Sequence, residues 1–77
     1  MNLHISGLTE QFGNDAEEMF NRIKQGKKYL THEKVIHAME KQNNILCLDD
    51  DRDTTWIFDI TKYQNNNLHL TYNGTAK

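Results

Sequence analysis

The sequence has no proline, a single cysteine and no apolar run longer than the four residues Ile45-Leu46-Cys47-Leu48. One cysteine excludes an intramolecular disulfide, and a small secreted protein would usually rely on several, so a reducing compartment is expected. The short apolar runs exclude a membrane-spanning helix, and Met1 to Ser6 lacks the basic start and apolar core of a signal peptide. The expected location is cytoplasmic. The missing proline is compatible with a compact, ordered domain and selects no function. No glycine-rich phosphate loop, nucleophile elbow or paired catalytic carboxylate motif is present, which makes the chain a non-enzyme with no expected cofactor.

What is present bounds the rest. Seventy-seven residues make one domain, near the lower limit at which a chain folds without staples. A net charge of -2 argues against a dedicated binder of the phosphate backbone. The charges are nevertheless segregated: Arg22, Lys24, Lys27, Lys28 and Lys34 crowd one segment, and Asp49, Asp50, Asp51, Asp53 and Asp59 another. Two solvated faces would account for this, and so would one pole that meets an oppositely charged partner.

Periodicity orders the chain. Leu3, Ile5 and Leu8 suggest a short N-terminal edge strand before the Ser6-Gly7 break. Asn14 reads as an N-cap with Glu17 reaching back, and Ala16, Met19, Phe20 and Ile23 form one stripe, which predicts a helix from Asp15 to Gln25. Gly26 is expected to end it in a left-handed conformation. Thr31 caps a second helix, with Leu30 packing on Val35 as a staple; Val35, Ile36, Ala38 and Met39 form its buried side, and Asn43-Asn44 lead the chain out.

From Ile45 the period becomes two. Ile45 to Leu48 is a strand, D-D-D-R-D a polar turn, and Trp56, Phe58 and Ile60 alternate with polar residues. Gln64 to Asn67 turns again before Leu68, Leu70 and Tyr72, and the tail from Asn73 to Lys77 is expected to fray. The expected fold is α+β: two N-terminal helices packed on a three-stranded antiparallel meander, with the extra N-terminal strand left open.

Four patterns resemble sites. His32-Glu33 and His37 come one residue short of H-E-x-x-H: at spacing i, i+5 the rings point about 140° apart on a helix, so one zinc ion does not take both. Asp49, Asp51 and Asp53 alternate as in a calcium loop, yet Thr54 and Ile60 stand where that loop needs glycine and a bidentate glutamate. Cys47, among leucines, reads as a core thiol, and His4, His32, His37 and His69 lie in separate elements. Trp56 and Tyr72 could stack on single-stranded nucleic acid, but their period-two spacing on the only apolar sheet face points to core.

The segment I-K-Q-G-K-K-Y-L-T-H-E-K-V, Ile23 to Val35, resembles the helix, Gly, (T/S)-H-E-x-V, helix segment of bacterial type II antitoxins. It covers under a fifth of the chain and amounts to a helix stop followed by a capped start. The strands after Asn44 depart from that pattern, and no functional residue is carried over.

These features point to a small bacterial or phage inhibitor, immunity protein or regulator that binds a protein through the acidic turn Asp49, Asp50, Asp51 and Asp53. The alternative is a nucleic-acid-binding module using Arg22, Lys24, Lys27, Lys28 and Lys34. A homo-oligomer formed through an uncovered sheet edge or face is a third.

Overall fold

The computed structural model describes residues 1–76. The elements run β1 (Asn2–Ser6), α1 (Leu8–Phe12), α2 (Ala16–Gly26), α3 (His32–Lys41), β2 (Ile45–Asp49), β3 (Thr55–Gln64) and β4 (Asn67–Ala76), with 3-10 turns at Gly13–Asp15 and Lys27–Tyr29. The fold is α+β, with a four-stranded mixed sheet in the order β1-β4-β3-β2. β2, β3 and β4 form the antiparallel meander, and β1 adds to its far side parallel to β4, Leu3 opposite Leu68 and Ile5 opposite Leu70.

The helices form where the sequence caps them, with two corrections. Thr31 Oγ1 accepts the Lys34 N–H at 3.2 Å, a true N-cap of α3. At the other end Asn43 and Asn44 both take left-handed φ, 53° and 65°, and the Asn44 N–H bonds back to the Ala38 carbonyl. Asn14, in contrast, lies inside the 3-10 turn and caps nothing; α1 already runs through Leu8–Phe12, so the chain reaches α2 as a continuing turn without a fresh start. Gly26 also departs from expectation. Its φ is −77°, right-handed, and what requires glycine there is space: a Cβ at Gly26 would stand 2.5 Å from the Asp49 carbonyl oxygen.

Both sheet turns follow from residues tolerant of positive φ. Asn65 and Asn66, at 53° and 64°, make the two-residue β3–β4 turn with the handedness that matches strand twist. Alternation turns Trp56, Phe58 and Ile60 to the helices; the extra residue Thr61 between Ile60 and Lys62 shifts the phase so that Tyr63 packs on the same core, and the other bulge, opposite Ile57 and Phe58, falls at Asn73 of β4. β4 continues to Ala76, with Gly74, Thr75 and Ala76 paired to β3 beyond a bulge at Asn73, so this stretch is strand, not a frayed tail; Lys77 lies outside the described residues.

The core lies between the helices and one sheet face: Ile23, Val35 and Ala38 from the helices, Leu46, Leu48, Trp56, Phe58, Ile60, Leu68 and Leu70 from the strands. Phe12 from α1 closes it edge-on against Tyr72 and Trp56, with ring centroids at 5.3 and 6.0 Å. Trp56 is 1% exposed, a core residue and not a stacking platform. Met39 is 37% exposed, because the α3 contact line is held by Val35 and Ala38. Cys47 is exposed as well, since Leu46 and Leu48 on either side point inward and the period of two turns it out.

Two outcomes test this packing. Gly26→Ala is expected to lower stability by about 2 kcal/mol in urea unfolding, because the Asp49 carbonyl it meets is backbone and gives little. Cys47 is expected to react stoichiometrically with a thiol reagent in the native protein, where a core thiol would need denaturant.

Candidate functional site

The acidic turn and the basic segment, separate in the sequence, meet in the structure. Asp50 turns inward, its side chain 1% exposed, and pairs with Arg22 of α2, which is 19% exposed. Arg22 Nη2 and Nε both donate to Asp50 Oδ2, at 2.8 and 3.1 Å, and the Trp56 indole N–H donates to the same oxygen at 2.9 Å. The other oxygen, Oδ1, accepts the backbone N–H of Arg52 at 2.8 Å and of Thr54 at 3.2 Å, an Asx-turn that fixes the loop. Arg22 also donates to Thr54 Oγ1 at 3.2 Å, and its guanidinium carbon lies 5.3 Å from the Trp56 ring centroid.

Asp50 therefore does not belong to the outward carboxylate set expected for partner binding; donors from four residues hold it inside. Burial favours its neutral form, but the hydrogen bonds from Trp56, from the Arg52 and Thr54 amides and from Arg22 outweigh burial and lower its pKa from 3.8 to about 2. Asp49, Asp51 and Asp53 remain exposed. Asp49 Oδ1 accepts the Thr55 hydroxyl at 2.6 Å, and Asp53 takes a left-handed φ of 59°. The tip thus presents three carboxylates on a loop whose shape a fourth fixes from inside.

The basic residues do not converge. Arg22 is engaged by Asp50, and Lys24, two positions on, points about 160° away around α2. Lys24 extends over Phe20 and Lys28 over Tyr29, at 5.4 and 5.1 Å from the ring centroids. Lys27 shares the 3-10 turn with Lys28, and Lys34 is exposed on the first turn of α3.

The histidines are less scattered than their sequence positions suggest. His4 and His69, opposite each other on β1 and β4, stack with centroids 4.5 Å apart, and His4 Nε2 lies 3.2 Å from Asn67 Oδ1. His32 Nδ1 meets the Tyr63 hydroxyl at 2.8 Å, tying the first turn of α3 to β3, while His37 stays exposed on α3. Among the described residues no three His, Cys, Asp or Glu side chains are placed to hold a metal ion, and no helix is long and apolar enough to cross a membrane.

Family models, curated proteins and solved structures were all compared with the chain, and none of them matches it.

Sequence reasoning missed the roles of Thr54 and Trp56 in holding Asp50. The Asx spacing from Asp50 to Arg52 was a local signal for a folded loop; the choice of Asp50 over its neighbours depended on Arg22, 28 positions away.

Because the folded-state pKa of Asp50 lies below its unfolded value, the ionised carboxylate stabilises the fold fully above about pH 4 and this contribution is lost as pH falls towards 2. Its size follows from the shift, about 2 kcal/mol. Asp50→Asn is expected to lose about 2 to 3 kcal/mol at neutral pH, and the gap from the parent protein should close between about pH 4 and pH 2. Urea midpoints across that range measure both; a gap independent of pH would show that ionisation of Asp50 is not what the loop depends on.

Proposed function

We propose that the protein is a small, non-catalytic binding protein of bacterial or phage type, an inhibitor, immunity protein, antitoxin-like protein or regulator, that presents the loop between β2 and β3 to a basic protein partner. The observation that carries this reading is the division of labour among the aspartates: Asp50 is locked inward by Arg22, Trp56 and two amides, and Asp49, Asp51 and Asp53 are exposed around it. A loop fixed before encounter loses little conformational freedom on binding. Clustered carboxylates on such a loop steer a cationic surface towards it and speed association. Arg52, exposed on the same loop, is the one positive charge at the tip and sets a pattern that a partner has to match.

The reading also accounts for the absence of catalytic motifs. Specificity for a partner surface needs shape and charge, which a chain of this size can supply without a deep cavity.

The test starts with the protein retained by the tagged chain from its host's lysate after nuclease treatment. With that partner in hand, Asp51→Lys combined with Asp53→Asn, which leaves Asp50 untouched and keeps at position 53 a residue that tolerates the left-handed φ, is expected to slow association about tenfold to a hundredfold and to flatten its salt dependence, with the unfolding midpoint unchanged. An unaltered association rate would remove the tip from the interface. Loss of the retained material on nuclease treatment would favour the nucleic-acid-binding module built on the basic segment.

A further inference from the structure

The sheet has two edges, and they are not equivalent. β2 is overlaid: α3 packs on it, and α2 approaches so closely at Gly26 that its backbone meets the Asp49 carbonyl. Among the described residues β1 has a neighbour, β4, on one side only. The Asn2 N–H bonds to the Asn66 carbonyl, so the parallel pairing directs the N–H and C=O groups of Asn2, His4 and Ser6 towards β4. Those of Leu3 and Ile5 point the other way, and no hydrogen bond to them is present among the described residues. Sheet proteins ordinarily guard such an edge with lysine, proline or a bulge. Asn2-Leu3-His4-Ile5-Ser6 has no charge, no proline and an unbroken register with β4.

Beside this edge the core is incompletely closed. Leu3 and Ile5 are half-buried, and they share an open groove with Leu8, Ala16 and Phe20 of the first two helices. A strand added at the edge would carry alternate side chains into that groove.

We infer that the exposed β1 edge pairs antiparallel with β1 of a second copy of this chain, about a two-fold axis at His4, to join two four-stranded sheets into one of eight strands. The sequence of β1 is self-complementary in this register. Leu3 faces the partner's Ile5 as a hydrogen-bonded pair, which uses all four outward N–H and C=O groups of each copy, and apolar side chain meets apolar side chain over the helices. His4 meets the partner's His4 as the non-hydrogen-bonded pair, where side chains approach most closely. The stack of His4 on His69 becomes a row of four rings across the axis. An axis centred on Leu3 or on Ile5 would leave part of this set unpaired. The interface is small, at the low end of specific contacts, with a dissociation constant on the order of 10–100 µM. The β2–β3 loop lies at the opposite edge of the sheet, so dimerisation leaves it free.

His4 offers a test that spares the monomer, because its side chain is exposed. Sedimentation equilibrium of the unaltered chain is expected to show a monomer–dimer equilibrium. His4→Lys and His4→Glu, each alone, should weaken it about tenfold or more by placing like charges at the axis, and mixing the two variants should restore a dimer. The amides of Leu3 and Ile5 should exchange more slowly with deuterium as concentration rises, while those of His4 and Ser6, already bonded to β4, should not change. A chain that stays monomeric at about 1 mM, far above the expected constant, would overturn the inference. So would a dimer that both variants leave intact, or one that mixing fails to restore.

Discussion

The buried carboxylate of Asp50 is the point at which helix, hairpin and loop are joined. Arg22 reaches it from α2, Trp56 from β3, and the amides of Arg52 and Thr54 from the loop itself. The Trp56 indole N–H and the Thr54 amide, both on buried residues, would otherwise lack a partner away from water, and the carboxylate without its donors would be a costly buried charge. The pair is therefore worth less as raw stabilisation than as a constraint. It sets where α2 crosses the sheet and, with Gly26 against the Asp49 carbonyl, how closely it does so. An apolar replacement of the same volume could pack there, but it would not fix the loop.

That constraint gives the molecule its polarity. One sheet face is sealed by the helices over Trp56, Phe58, Leu68 and Leu70, all under 2% exposed. The loop beside β2 is rigid and acidic, and the β1 edge at the opposite side is uncharged and has unused backbone groups. A protein this small has few surfaces to divide among partners, and these two differ in the physics they offer: screened electrostatics on one side, backbone hydrogen bonding with modest apolar burial on the other.

Much of the fold was legible in the residues, and the reason is local. The Thr31 cap, the Val35 and Ala38 contact line, the Asn65-Asn66 turn and the alternation of Trp56, Phe58 and Ile60 each depend on positions within one or two turns of chain. The same rule, applied strictly, also gives the outward direction of Cys47, since Leu46 and Leu48 flank it; reading the four apolar residues as one buried run hid it. Met39 and Asn14 were misplaced because a neighbouring residue or element had already taken the role assigned to them.

The sequence by itself determined the helices α2 and α3, the strands of the meander, which strand face is apolar and that the charges are segregated, because hydrophobic period, capping and turn preference act over a few residues; the short α1 over Leu8–Phe12 and the end of β4 were not among the segments it marked. Tertiary structure alone decided that Asp50 points inward among chemically identical neighbours, that Gly26 serves close approach and not a left-handed stop, that His4 stacks on His69, and that β1 joins β4 and leaves an edge open. Each of these depends on a partner 20 or more positions away, and nothing local distinguishes one aspartate of D-D-D-R-D, or one edge of a sheet, from another until packing brings that partner into reach.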